Sequence, residues 1–121
     1  MNLKIYSFEK LTTWRKAKDF LIKTYRSIEK AGFPKEELYG LVGQIKRAAL
    51  SVPSNIAEGS TRSGSNDRKH FLTIAFSSAI EVLNHLIISH ELGFISEKVY
   101  VDLRTDLQEV TAMIDALKKS W

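Results

Sequence analysis

Cysteine is absent from this 121-residue sequence, which excludes disulfide bonds, a thiol nucleophile and any zinc site built on thiolates. An uninterrupted apolar run of the roughly 18 residues that a membrane span needs is also absent, because acidic residues and histidines divide the most apolar segment, residues 71–94. The opening stretch MNLKIYSFEKL carries charges and has no apolar run of signal-peptide length. We therefore expect a cytoplasmic protein without membrane association, and a buried helix in the apolar segment.

The charges are divided unevenly along the chain. The net charge is +4, but residues 1–69 contain 14 Lys and Arg against 7 Asp and Glu, whereas residues 70–121 contain 4 against 7. The first part is thus +7 and the second −3. Such a division is typical of a basic face that meets nucleic acid or an acidic partner, and also of a merely solvated surface.

Apolar residues recur at the 3.6-residue spacing of amphipathic helices in four segments, and no alternating strand pattern occurs. Helices are predicted near residues 8–31, 34–58, 66–92 and 96–119. Pro34, Gly59 and Gly93 mark the breaks, and Ser96 is a suitable N-cap for the last helix. The second helix has an apolar seam that runs from Leu38 to Ile56. We predict an all-α, up-and-down four-helix bundle that forms one domain over residues 1–121, with the third helix the most buried.

A second stripe on the second helix consists of small or polar residues and contains no bulky apolar side chain. Small residues allow close approach of another backbone, and polar residues can bond across the contact. We predict a packing or intersubunit role for this stripe, with Asn55 and Glu58 hydrogen-bonded across helices or subunits. Pro53 should bend the helix, and nearby serine hydroxyls should satisfy the loosened backbone groups. The stripe with Pro53 comprises Gly40, Gly43, Gln44, Arg47, Ser51, Pro53, Ser54, Asn55 and Glu58.

Catalytic and cofactor sites have little support in the sequence. Residues 59–64 have the glycine spacing of a phosphate-binding loop, but Ser65 stands where the lysine should follow and no strand precedes. Glu81 and His85 are four apart and have no second copy, unlike the paired Glu-x-x-His motifs of di-iron bundles. No Gly-x-Ser-x-Gly occurs. We expect no enzyme activity, no cofactor and no metal.

The segment FPKEELYGLVGQIKRAALSVPSNIAEG, followed by FLTIAFSSAIEVL and ELGFI, resembles the S23-type four-helix bundle family, whose members are encoded by intervening sequences within bacterial 23S rRNA genes. The resemblance covers nearly the whole chain, with one departure at Ser77, where the family more often has glycine. It implies a ring-shaped homopentamer. Related accessory variability proteins of diversity-generating retroelements bind nucleic acid and a reverse transcriptase. The resemblance implies no established enzyme activity.

Two functions remain open at this point. The first is a non-catalytic oligomer that binds nucleic acid, with RNA favoured, through clustered cations that contact phosphates. The second is an oligomeric structural adaptor for a protein partner. The aromatic residues at core spacing are expected to pack inside, and Trp121 could dock on the bundle or on a neighbouring subunit. The candidate phosphate-binding residues are Lys46, Arg47, Arg62, Arg68 and Lys69, with Arg15, Lys16 and Lys18 as a further group.

Overall fold

Four α-helices form the protein, and the structure, a computed structural model, describes every residue from Met1 to Trp121. The helices are α1 (Thr12–Lys30), α2 (Leu41–Ser60), α3 (Ser65–Glu91) and α4 (Glu97–Ser120). Short 3₁₀ turns precede α1 at Ser7–Lys10 and α2 at Lys35–Glu37. There is no strand, so the predicted all-α class is confirmed.

The helices pack as an up-and-down bundle. α1 packs against α2 and α4, α3 packs against the same two helices, and the α2–α3 contact is the most extensive. Apolar residues on the inner face of each helix meet in one core. The largest side chains that are fully enclosed are Phe20, Ile45, Ile56, Leu72, Leu86, Leu103 and Ile114. Because successive helices are antiparallel, the α2–α3 loop, the start of α1 and the end of α4 lie at the same end of the bundle.

Helix α2 differs from its predicted bounds at both ends. It begins at Leu41 because Gly40 leaves the helical conformation, with φ −94° and ψ −116°, and the carboxylate of Glu37 accepts the first free N–H, that of Leu41, at 3.1 Å. Leu38 therefore precedes the helix and is 54% exposed, so its predicted place in the core seam is wrong. At the other end Gly59 is a buried helical residue, and α2 continues to Ser60.

Buried residues are more frequent in α2 than in α3, contrary to the prediction. Eight of the 20 residues of α2 are buried, against seven of the 27 in α3. The reason is that α3 is long and presents Ile80 and Ile88 to solvent. By length and composition alone α3 could span a membrane, since its mean hydropathy reaches 1.7 over 18 residues. In the bundle it packs against α2 and α4.

Pro53 lies buried within α2, and the helix continues through it. A proline cannot donate to the carbonyl four residues earlier. Beside it, the Ser54 hydroxyl donates to the Leu50 carbonyl at 2.8 Å, and the Asn55 amide donates to the Ser51 carbonyl at 2.8 Å. These donors serve the carbonyls of Leu50 and Ser51, whereas the carbonyl that Pro53 leaves without a donor is that of Ala49. The Ser51 hydroxyl is used differently, in a bond to α3.

Candidate nucleic-acid interface

The three predicted cations at the start of α1 are held within the chain. The Lys16 ammonium lies 2.8 Å from the Glu109 carboxylate of α4, and this hydrogen bond raises the pKa of Lys16. The Arg15 guanidinium donates to the Glu9 carbonyl at 3.0 Å, and the Lys18 ammonium lies 3.2 Å from Asp19. The first two contacts tie α1 to α4 and to the preceding 3₁₀ turn, whereas the third lies within α1.

Lys46 and Arg47 are likewise paired, and they lie far from the α2–α3 loop. The Lys46 ammonium is 3.7 Å from Glu29 and 5.0 Å from the centre of the Tyr25 ring. Arg47 donates to Gln44 at 2.9 Å and also to the Glu81 carboxylate. Arg47 precedes the end of α2 by 13 residues, which is about 20 Å of helix. The structure therefore does not bring this pair together with the loop cations.

The other three predicted cations meet at the loop end of the bundle. Arg62 lies 3.5 Å from Glu58, 3.9 Å from Asp67, and 4.6 Å from the centre of the Phe71 ring. Arg68 and Lys69, in contrast, have no carboxylate within 4.0 Å. Their charges are therefore available to an external anion.

Two lysines that the sequence analysis did not select complete this surface. Lys118 and Lys119, in the last turn of α4, lie beside Lys69 because α3 and α4 are antiparallel. Together with Asp115 the three lysines line a surface cleft of about 460 Å³. The Lys118 ammonium donates to the Thr73 hydroxyl at 2.8 Å, and neither lysine has a carboxylate partner. We call the set Arg62, Arg68, Lys69, Lys118 and Lys119 the basic end.

Trp121 closes the basic end by packing on its own chain. Its carbonyl accepts a hydrogen bond from the Ser65 hydroxyl at 2.7 Å, and its ring centre lies 4.5 Å from the Arg68 guanidinium carbon. The ring fits because Gly59 has no side chain: a Cβ there would lie 2.9 Å from Cζ3 of Trp121 and 3.0 Å from Cβ of Phe71. Arg68 is thereby fixed in place, with its Nε buried and without a hydrogen-bond partner.

The small and polar stripe of α2 contributes to the contact with α3. The Ser51 and Ser78 hydroxyls are hydrogen-bonded at 2.7 Å, and Asn55 supports Ser51 by donating to its hydroxyl at 2.9 Å. Asn55 and Glu58 bond only within α2 and to the loop residue Arg62, so neither crosses to another helix of the chain. Their contact with another subunit stays a prediction. Gly40 is the N-cap of α2. Gly43 has no side chain that could form a hydrogen bond, and the Ser54 hydroxyl bonds only to the Leu50 carbonyl of its own helix.

Comparison with known proteins places this bundle in a family. The crystal structure of a protein with unknown function from the S23 ribosomal protein family, from Bacteroides thetaiotaomicron, has the same fold, with a TM-score of 0.78 and 20% sequence identity over 89% of this chain and 99% of that one. No curated protein matches the sequence. The model of the 23S rRNA-intervening sequence proteins matches residues 9–116. Because the match spans most of the chain, the chain belongs to the 23S rRNA-intervening sequence protein family.

Proposed function

We propose that this protein is a non-catalytic oligomer that binds nucleic acid, with RNA the favoured ligand, through the basic end. The observation that carries the proposal is the group of four cations without carboxylate partners, Arg68, Lys69, Lys118 and Lys119, at one end of the bundle. Elsewhere the predicted cations are neutralised by carboxylates or bound to backbone. Unpaired lysines around a cleft suit phosphate groups, which are bound largely through charge.

The chemistry of the basic end suits the phosphate backbone rather than base edges. Lysine ammonium groups act as point charges, and the aromatic rings nearby are already covered, Phe71 by Arg62 and Trp121 by Arg68. We therefore expect weak sequence preference. RNA is favoured over DNA because the family takes its name from intervening sequences of 23S rRNA.

Oligomer formation is the second part of the proposal. The resemblance to S23-type proteins supports a homopentamer, and a ring of five copies would repeat the basic end around its axis. Several weak phosphate contacts would then act together through multivalency. The S23-type resemblance also implies a relation to accessory variability proteins, which bind nucleic acid, and this relation is consistent with the same ligand class. A cysteine-free chain also suits the reducing cytoplasm, where we propose that it acts.

The test is a charge reversal at two positions with a matched control. Lys69→Glu together with Lys119→Glu should lower affinity for every structured RNA by at least about tenfold at 150 mM salt, because four units of charge change at the phosphate contact. Lys35→Glu together with Lys98→Glu makes the same change in net charge at the opposite end of the bundle, where both lysines are exposed and lack carboxylate partners. This control should bind RNA normally.

Arg62 and Arg68 are less suitable for this test, since reversing them would break the Asp67 contact and the packing on Trp121. If the wild-type protein binds RNA and both double variants weaken that binding equally, the affinity depends only on the net charge of the protein. Absence of binding by the intact oligomer to several unrelated RNA and DNA molecules would overturn the proposal.

A protein-binding adaptor is the second candidate function. The observation in its favour is the exposure of large apolar side chains on all four helices, namely Ile22, Leu50, Ile80, Ile88 and Val101. Protein purified without nuclease separates the two candidates. If the purified protein absorbs at 260 nm and high salt removes this absorbance, nucleic-acid binding is favoured. If the absorbance is absent and a second protein co-purifies, the adaptor is favoured.

A further inference from the structure

Asp115 places a carboxylate among the lysines of the basic end. It lines the surface cleft of about 460 Å³ together with Lys69, Lys118 and Lys119, and no other residue lines that cleft. The Asp115 side chain is exposed, and no nitrogen of a lysine, arginine or histidine lies within 4.0 Å of its oxygens. A carboxylate repels a phosphate, so a cleft that bound phosphate alone would bind it better without Asp115.

The helices bring Asp115 and the lysines to one place without pairing them. Asp115, Lys118 and Lys119 lie on one side of α4, because residues three and four apart on a helix are neighbours. The Lys118 ammonium donates across to the Thr73 hydroxyl of α3 at 2.8 Å, and this hydroxyl donates in turn to the Lys69 carbonyl at 3.0 Å. Neither bond involves Asp115, so its oxygens stay free to accept.

Asp115 supplies the only side-chain acceptor that lines the cleft, since a lysine ammonium has three donors and no acceptor. The phosphate oxygens of a nucleic acid only accept, and they therefore match the lysines. The group that matches Asp115 is the ribose 2′-hydroxyl, which can donate and which distinguishes RNA from DNA at a given site. This hydroxyl is attached to the carbon next to the one that bears the 3′-phosphate, so one nucleotide presents both groups together. Base amino groups also donate, but DNA shares them and base pairs occupy them in a structured RNA.

We infer that the Asp115 carboxylate accepts a hydrogen bond from a ribose 2′-hydroxyl of RNA whose phosphates contact Lys69, Lys118 and Lys119, and that this bond selects RNA against DNA. The inference rests on the proposed function and names a specificity-determining residue within the same site. DNA brings its phosphates to the same lysines but leaves the carboxylate without a donor. A site that accepts from a hydroxyl discriminates against an analogue that lacks the hydroxyl, because the polar group of the protein is then unpaired.

The test measures the preference for RNA over DNA as well as the affinity for each. A hairpin RNA, the same hairpin as DNA and the 2′-fluoro form of the RNA are titrated against the intact protein by fluorescence anisotropy at about 150 mM salt. The 2′-fluoro RNA keeps the helix form of RNA but has no 2′-hydroxyl to donate. The wild-type protein should bind the RNA at least about tenfold more tightly than either of the other two, which is the effect of one hydrogen bond to a charged group.

Two variants of Asp115 separate the hydrogen bond from the charge. Asp115→Ala should reduce the preference for RNA to about twofold or less, because the acceptor is lost, and should bind DNA more tightly than the wild type does, because the repulsion is lost. Asp115→Asn keeps a carbonyl oxygen that can accept, and should retain a preference of at least about threefold.

Glu97→Ala is the matched control for both variants. It removes the same charge from an exposed residue of α4 that has no cation within 4.0 Å. Position 97 precedes position 115 by 18 residues, which is about 27 Å of helix. This variant should keep the preference of the wild type for RNA.

The outcomes distinguish this inference from the proposal on which it rests. A wild-type protein that binds none of the three molecules overturns nucleic-acid binding and the role of Asp115 together. If Asp115→Ala tightens the binding of RNA and DNA by the same factor, the carboxylate only repels phosphate, and the role of Asp115 alone is overturned. A wild-type protein that binds the DNA or the 2′-fluoro RNA as tightly as the RNA also overturns that role alone, because the 2′-hydroxyl then contributes nothing.

Discussion

The hydroxyl oxygens of Ser51 and Ser78 lie 2.7 Å apart and join the middle of α2 to the middle of α3. Ser78 is buried, and Ser51 is further held by the Asn55 side-chain amide. This is the only side-chain hydrogen bond between these two helices that involves no charged group. The contact explains why α2 carries small polar residues on the side that faces α3.

Replacing Ser78 by alanine should lower the free energy of unfolding by about 1 kcal/mol, because the half-buried Ser51 hydroxyl loses its partner on α3 and keeps only the Asn55 amide. Chemical denaturation measures the loss. Ser54→Ala is the matched control, since the Ser54 hydroxyl is exposed and bonds only to the Leu50 carbonyl of its own helix. An equal effect of the two changes would contradict the special role of the Ser51–Ser78 bond.

At Gly59 we predict that alanine destabilises the protein, which is the opposite of what helix propensity alone predicts. Alanine is favoured over glycine within a helix by about 1 kcal/mol. A Cβ at position 59, however, would press on Trp121 and Phe71, and such overpacking costs about 1 to 3 kcal/mol. Gly59→Ala should therefore lower the melting temperature, and combining it with Trp121→Ala should relieve part of the strain in a double-mutant cycle.

The control for Gly59 is Gly32, where an added Cβ would meet nothing within 4 Å. Gly32→Ala should be neutral or slightly stabilising, because it restricts the unfolded chain without a clash. A stabilised Gly59→Ala variant would show that Trp121 does not pack on Gly59 in solution.

Local patterns predicted the helices well where the determining interaction is local. The Ser96 hydroxyl accepts from the Val99 N–H at 3.2 Å, as expected of an N-cap, and α4 begins at the next residue. Leu38 fits the heptad spacing equally well but lies outside α2, because the backbone at Gly40 breaks the helix and Glu37 caps the new start. Periodicity alone cannot show such a break.

The candidate site was only partly predictable for a related reason. Lys69 and Lys118 are 49 positions apart, and only the antiparallel packing of α3 on α4 brings them to one cleft. In contrast, Lys16 and Lys46 looked available in the sequence, yet Glu109 and Glu29 of other helices lie beside them. The partners that decide whether a cation is free are distant in sequence, so tertiary structure was needed to select among them.

From the ion pairs of Lys23 we predict that the folded protein loses stability at alkaline pH. Its ammonium lies 2.9 Å from Asp102 and 2.8 Å from Asp106, and these bonds, first with Asp102 and then with Asp106, raise its pKa above the ordinary 10.5. A pKa that is higher in the folded state contributes stability below 10.5, and this contribution is lost as the pH rises through the folded-state value. The α1–α4 contact should therefore weaken above about pH 10.5.

Thermal unfolding between pH 8 and 12 tests this prediction. Lys23→Met should lose about 0.5 to 1 kcal/mol at pH 8, the range for partly exposed ion pairs, and should show a smaller further loss at alkaline pH than the wild type. Lys98→Met removes a lysine without a carboxylate partner and should keep the wild-type pH dependence. Identical alkaline slopes for wild type and Lys23→Met would refute the linkage.

The last prediction concerns the salt dependence of RNA binding. Each phosphate that a cation neutralises releases counterions, so log K falls with log salt by about 0.7 per contact for a single strand. Removing Lys69 and Lys119 as phosphate contacts should flatten the slope by at least about 1.4, and by more if one RNA touches several subunits. The Lys35 and Lys98 reversals should leave the slope unchanged, because those lysines lie at the far end of the bundle.

Fluorescence anisotropy titrations between 50 and 300 mM salt, at constant oligomer concentration, measure both slopes. A slope that the Lys69 and Lys119 changes do not alter would mean that RNA contacts another surface, and the paired cations Lys46 and Arg47 would then be the next to reverse.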